Sequence, residues 1–255
     1  EETPHITKTV YINALTGEGA DELKAAIISL GSELPQRTLL GDMVSAGDTV
    51  MLVMPQDASA PKGRLILPQV MTTRELLDKN AIVISVQPEE IDRALSVLKT
   101  PPDLVITDSQ VFSYVNEHIP PDIRLTSFSI LMAGLKGDLS VFMDGADRMM
   151  ELSDRAKILI AESCTHAPAE EDIGRVKIPN MLRKKLGISI ETEIAAGDSF
   201  PEDLSEYSLI IQCGGCMVGR RSIMNRIEAA VRQNIPITNY GIAIAKLTGI
   251  LERVV

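Results

Sequence analysis

Aromatic residues are scarce: the chain has no tryptophan and only four phenylalanines and four tyrosines among 255 residues. Unpaired bases stack on aromatic faces, so a single-stranded nucleic-acid platform is disfavoured. Positive charge is also short, with 25 Lys and Arg against 35 Asp and Glu for a formal charge of −10. Phosphate backbones are gripped by basic surfaces, so nucleic acid is not an expected partner. No apolar run approaches the roughly 18–20 residues needed to cross a bilayer, and no basic, apolar leader opens the sequence. The expected location is the cytoplasm, without a membrane partner. Cysteine occurs three times. An odd count without a secretion signal argues against a disulfide framework, and leaves metal chemistry, redox chemistry or inert buried thiols.

What is present is ordinary globular composition, 45% apolar and 24% charged, enough for one large domain or two medium ones. A strand is expected over Thr9–Asn13, then a turn with Gly17 and Gly19, then an amphipathic helix from Ala20 to Leu30 with Leu23, Ala26, Ile27 and Leu30 on one face. One strand and one helix bury too little surface to stand alone. Because the chain also opens on Glu1, this segment is expected to be the tail of a larger domain. Further strands are expected at Thr49–Met54, Arg64–Leu67, Ala81–Val86 and Leu104–Thr107, with helices at Val70–Lys79, Pro88–Lys99 and Ser109–His118. A second series has strands at Lys157–Ala161, Ser189–Ala195 and Leu209–Gln212 and helices at Pro179–Leu186 and Arg220–Asn234; Ile235–Tyr240 then leads into a final helical stretch. Strands alternating with helices predict an α/β fold with mostly parallel, helix-flanked sheets. The polar stretch Gly145–Asp154 is the expected boundary between the two series, and no internal repeat is evident.

The cysteines lie where such a fold collects ligands. Cys164 follows the apolar run Ile158–Ala161, and Cys213 follows Leu209–Ile211. Both fall just past the carboxyl ends of expected strands, the edge where open α/β sheets bind ligands. Cys216 comes after Gly214 and Gly215. The two glycines allow a tight turn with close backbone approach, and the helix expected from Gly219 directs its positive end toward the thiols. His166 completes a Cys-x-His pair. Four chemistries remain open on these residues: unrelated buried thiols, a CxxC redox pair, a structural zinc with three Cys and one His, and an iron-sulfur cluster with three Cys ligands and one replaceable ligand. Spacing does not separate iron from zinc.

Longer strings carry a resemblance. Cys164-Thr165-His166, then Glu171 to Pro179, then Cys213-Gly214-Gly215-Cys216-Met217 and Ile237-Thr238-Asn239-Tyr240-Gly241 resemble the HydF family, the [FeFe]-hydrogenase maturation GTPases. Ala60 to Val70, Pro102 to Gln110 and Leu125 to Leu131 agree as well, so the likeness spans essentially the whole chain. It implies three parts: residues 1–35 as the C-terminal remnant of a GTPase domain, with Asn13-Ala14-Leu15 and Thr16 to Gly19 near its last guanine-binding motif; 36–150 as a dimerisation domain; and 151–255 as an Fe-S cluster domain.

The resemblance further implies a [4Fe-4S] cluster on Cys164, Cys213 and Cys216, and a scaffold that delivers a diiron subcluster precursor to apo-[FeFe]-hydrogenase. The implied partners are a second copy of the chain or a higher oligomer, the apo-hydrogenase and the radical-SAM maturases. His166 is the candidate at the fourth iron site, or else a histidine outside the ligand set, and Gly214 and Gly215 would line the cofactor. Where many members place further histidines, this chain has Gln212 and Ala167. GTP belongs to the full-length protein: no GxxxxGK(S/T) loop occurs here, and that loop is what cradles nucleotide phosphates. The chain itself is therefore not expected to be an enzyme. Arg175, Lys177, Arg220 and Arg221 could steer an anionic diiron unit, although solvated or paired charges account for each. Asp103 and Asp108 read as turn and cap residues, and His5 and His118 as solvent-facing.

Overall fold

The computed structural model describes residues 9–32, 37–56, 63–163, 172–197 and 199–254. The chain divides into two compact units, Glu1–Arg37 and Thr38–Val255. In the first, Asn13 organises a turn: its Oδ1 accepts from the amides of Leu15 (3.0 Å) and Thr16 (3.3 Å). Gly19 has φ +81°, and a Cβ there would lie 2.1 Å from the Tyr11 carbonyl oxygen, so only glycine fits. Helix α1, Ala20–Ser32, follows. Ala26 is buried, while Ile27, Ile28 and Leu30 on the same helix are exposed. The strand expected at Thr9–Asn13 does not form among the described residues.

The second unit begins with β1 (Thr49–Val53), α2 (Leu67–Asp78), β2 (Ile82–Val86), α3 (Ile91–Val97), β3 (Leu104–Thr107), α4 (Phe112–His118), β4 (Arg124–Ser127) and α5 (Phe128–Lys136). It continues with α6 (Leu139–Met149), β5 (Ala156–Glu162), α7 (Ile178–Leu186), β6 (Ile190–Ala196), β7 (Leu209–Gln212), α8 (Arg220–Arg232), β8 (Ile237–Asn239), α9 (Tyr240–Thr248) and α10 (Leu251–Val254). The strands make two four-stranded sheets in the orders β2-β1-β3-β4 and β6-β5-β7-β8. Every pairing is parallel, in registers such as Val50↔Leu104 and Ile160↔Ile211. The α/β expectation of two helix-flanked parallel sheets is therefore met. The two orders are the same, so one topology occurs twice, without a sequence repeat to announce it.

Continuous apolar runs explain the central strands, since parallel sheets are covered on both faces. Along β1 the side chains alternate: Val50 and Leu52 pack with Leu76, Ile106, Phe128 and Leu131 on one face, while Met51 and Val53 enter a second core. That second core runs on through Phe142, Ile158, Ile160, Ile211 and Ile242, so it is shared by both sheets. Helix α6 lies so close to β8 that a Cβ on Gly145 would stand 2.0 Å from the Ile237 carbonyl oxygen. Gly145 to Met149, part of the stretch read as an interdomain boundary, are thus helical residues packed on the second sheet.

One strand is overturned. Arg64–Leu67 does not form a strand; α2 starts at Leu67 with Pro68 in its first turn, and the Ile66 amide donates to Gln69 Oε1 at 3.2 Å. Proline has no N–H for a ladder, and its fixed φ suits a first helical turn. His118 is half-buried rather than solvent-facing: it stacks on Tyr114 with ring centroids 4.0 Å apart, and its Nδ1 is 2.7 Å from the Tyr114 carbonyl.

Candidate metal centre at the edge of the second sheet

In the β6-β5-β7-β8 order, successive strands lie on opposite sides of β5. The crevice between the carboxyl ends of β5 and β7 is therefore the topological switch point, the favoured ligand site of an open α/β sheet. Ser163 follows β5 and Cys213 follows β7. The Cys213 amide still continues the ladder, donating to the Ala161 carbonyl at 2.9 Å. Cys164 and His166 lie outside the described residues, as does Ala167; Cys213 and Cys216 are free thiols, each half-buried.

The turn between the two cysteines needs its glycines. Gly215 has φ +61°, and a Cβ there would be 2.7 Å from Ile223 Cδ1. Helix α8 begins immediately beyond, with Gly219 as N-cap. The helix start expected at Gly219 is thus observed, and it places α8 directly after the loop.

Cys213 Sγ sits among donors. The Ser163 amide points at it from 3.1 Å and Gln212 Nε2 from 3.4 Å, while the thiol itself donates to Ser163 Oγ at 3.4 Å. Gln212 is wholly buried and shared: its Nε2 also donates to Ser163 Oγ at 3.0 Å, and its Oε1 accepts from Arg226 Nη1 at 3.0 Å. Arg226, itself buried, reaches the Glu162 carbonyl as well. Arg175 grips the buried Glu162 carboxylate bidentately at 3.0 and 2.7 Å, and this hydrogen-bonded pairing holds the guanidinium above its ordinary pKa. Neither Ser163 nor Arg226 was marked out by its sequence position.

On the other side of the loop stands Lys136, at the end of α5. Its Nζ donates to the carbonyls of Gly215, Cys216 and Val218 at 2.7, 2.9 and 2.8 Å. Burial pulls this ammonium below the usual lysine pKa, against the opposing pull of Cys216 and Cys213. Burial likewise pushes the Cys216 thiol up, assisted by Cys213 and opposed by Lys136. Cys216 also packs against the core formed by Val50, Leu52, Leu131 and Met132.

The last member is Tyr240, at the first position of α9. Its hydroxyl is buried without a hydrogen-bond partner among the described residues. It fits only because residue 174 is glycine, where a Cβ would be 1.8 Å from that oxygen. An orphaned buried hydroxyl ordinarily has a reason.

The flanking cations are mostly engaged. Lys177 Nζ meets Gln110 Oε1 at 3.0 Å, and Arg220 Nη1 donates to the Gly137 carbonyl at 2.6 Å, while Arg221 is exposed. Asp103 accepts from the Thr49 amide at 2.8 Å and Asp108 from Gln69 Nε2 at 3.2 Å, in keeping with structural roles.

Among the described residues, no three potential metal ligands converge. The donor chemistry nonetheless suits a thiolate-held cluster: two thiols on a glycine turn, N–H groups aimed at sulfur, a half-buried cation beside the loop, and one spare hydroxyl.

Fold and site together define an α/β protein with a thiol pair at the switch point of a parallel sheet. Residues 39–137 match the Hydrogen maturase F dimerization domain, and residues 140–255 match the Hydrogen maturase F tetramerization domain. The chain belongs to the HydF family of hydrogenase maturases, whose role is [FeFe]-hydrogenase maturation and whose members carry Fe-S clusters. Its two matched domains mark it as a homo-oligomer. The matches meet at 137–140, where α5 gives way to α6.

No curated protein matches the chain. Among solved structures, it is similar to an NtrC family transcriptional regulator from Clostridium acetobutylicum, with 10% identity over 82% of this chain and 98% of that one, at a TM-score of 0.26. A solute-binding protein of an ABC transporter from Burkholderia multivorans shows 9% identity over 82% of this chain and 78% of that one, at a TM-score of 0.25. Similarities this low carry no functional argument. No helix of the described residues is long and apolar enough to cross a membrane.

Proposed function

We propose that the chain is a scaffold in [FeFe]-hydrogenase maturation that binds a [4Fe-4S] cluster through Cys164, Cys213 and Cys216, leaves one iron site exchangeable, and passes a diiron precursor to apo-hydrogenase. The observation that carries this reading is the thiol pair at the β5/β7 switch point, with the Ser163 amide aimed at Cys213 Sγ from 3.1 Å. Such N–H contacts to sulfur are among the levers that set cluster potentials. The cluster would supply an iron site to which a precursor can attach; the protein supplies its anchorage, the surrounding cations and the crevice.

The reading treats the chain as a binding protein rather than an enzyme, since no phosphate-cradling loop occurs in it. Residues 1–35 are read as the remnant of a GTPase domain. The exposed apolar residues Ile27, Ile28 and Leu30 of α1 support that, because a helix carrying such residues ordinarily packs on further elements. The apo-hydrogenase and the radical-SAM maturases are the proposed partners, and the cytoplasm the proposed location.

The test is anaerobic reconstitution with iron and sulfide, followed by iron and zinc analysis and EPR of the reduced protein, for the native chain and for Cys213→Ser. The native chain should hold about four irons and give a signal that shifts on addition of cyanide or imidazole, while Cys213→Ser should not. A full cluster in Cys213→Ser would defeat the ligand assignment. Stoichiometric zinc without a cluster signal would establish a structural metal site instead, and disulfide reductase activity that survives loss of Cys164 would point to a CxxC redox pair.

A further inference from the structure

Lys136 belongs to the first sheet's half of the unit, as the last residue of α5, yet its charge lies on the cysteine loop of the other half. An ammonium has three N–H donors. All three are accepted by backbone carbonyls of one short segment, those of Gly215, Cys216 and Val218, at 2.7–2.9 Å. The seam is reinforced from the opposite direction by Arg220, which donates to the Gly137 carbonyl at 2.6 Å. Turned toward two thiolates, those three carbonyl dipoles would add negative potential where negative charge already gathers. Drawn onto the ammonium they are neutralised, and a positive charge in a half-buried place is weakly screened.

We propose that Lys136 is a positioning residue for the metal centre, holding the Cys213–Val218 loop in its metal-binding form and offsetting the negative charge of what the loop binds. The half of the chain matched to the dimerization domain thereby governs how tightly, and at what potential, the other half holds its cluster. This rests on the cluster reading above, but the clamp itself is a property of the chain without metal.

The experiment uses the full chain with Lys136→Met, which keeps the stem and removes the charge, and Lys136→Arg, which keeps the charge and changes the donor geometry. In the metal-free proteins, hydrogen exchange is followed at the amides of Gly214 to Gly219. After anaerobic reconstitution, iron loss to a chelator and the midpoint potential are measured.

Lys136→Met should exchange faster across the loop with other segments unchanged, lose iron about 10- to 100-fold faster, and titrate at a more negative potential. Lys136→Arg should return the potential toward native while restoring loop protection only in part, because a planar fork does not serve three converging carbonyls as an ammonium does. Native exchange together with native potential in Lys136→Met would overturn the proposal. A native chain that takes up no iron would remove the cluster reading, and the metal-free exchange would then decide the clamp by itself. Should Lys136→Met fail to fold, Lys136→Arg against native decides the clamp: native exchange across Gly214 to Gly219 in that variant would overturn it.

Discussion

Around Cys213, the cysteines were legible in the sequence and their environment was not. Cys213 and Cys216 announce themselves by type and spacing after an apolar run. Ser163, Lys136 and Arg226 are unremarkable residues until folding brings Ser163 to Cys213 across 50 positions and Lys136 to Cys216 across 80. No local pattern encodes such contacts. The same holds for Glu162, which is nearly fully buried and relies on the bidentate Arg175. Removing one partner of a buried pair leaves an uncompensated charge, at a cost of roughly 3–5 kcal/mol. With Arg175 still partly exposed, Arg175→Met should fall toward the lower end of that range in urea unfolding. Arg175→Met combined with Glu162→Gln should recover much of the loss; a double variant no more stable than the single one would show that Arg175 acts through something other than this carboxylate.

Elements were read best where apolar runs were strong. β3 and β7 have the expected bounds, and α7, α8 and β5 agree to within a residue or two. β4 and α5 escaped notice because strand passes into helix without a loop, the junction resting on Ser127, whose Oγ accepts from the Ile130 amide at 3.2 Å. Helix α6 is stopped down at its start by Asp138, whose Oδ1 takes the Ser140 hydroxyl at 2.6 Å and the Ser140 and Val141 amides at 3.0 and 3.3 Å. Asp138→Ala should cost about 1 kcal/mol near neutral pH. The Ser140 hydroxyl, with the two amides, holds the Asp138 carboxyl below its ordinary pKa when folded. Its contribution is therefore complete above the unfolded value of about 4 and fades as pH falls through the folded one. Denaturant midpoints of native and Asp138→Ala should differ steadily from pH 5 to 8 and converge in stronger acid.

Edge strands belong to the same scale. β2 ends its sheet with the apolar sequence Ile82-Val83-Ile84-Ser85-Val86, and Ile82 is 56% exposed. An open apolar edge invites pairing with another strand, and in a homo-oligomer a second copy can supply it. Ile82→Lys should shift sedimentation toward smaller species while leaving circular dichroism unchanged. Native assembly in that variant would place self-association on another face.

At the scale of the whole second unit, the two sheets are one folding body. They share a core, and their carboxyl ends meet: Ser129 Oγ donates to Asn239 Oδ1 at 3.1 Å. Gly241 lies so near that a Cβ on it would be 2.8 Å from Ser129 Oγ. The sequence showed two βα series and nothing of this joint, since it is made by small polar residues that carry no periodic signal. Unfolding of the unit in urea, followed by fluorescence-independent probes such as circular dichroism and hydrogen exchange, should be a single transition. Gly145→Ala, which sets a methyl against the backbone of β8, should lower the midpoint of both halves together, by at least the roughly 1–3 kcal/mol of an overpacked core; separate transitions would mean that the halves fold on their own.

Helix α10 packs on β4, and Thr126 in that strand donates its hydroxyl to the carbonyl of Val254 at 3.0 Å. A strand of the first sheet thus waits for a residue 128 positions later. On the ribosome, where chains grow at about 5–20 residues per second, β4 must stand without that cover for several seconds after it is made. The first sheet is finished last, and the interval is one in which a nascent chain has reason to meet a chaperone.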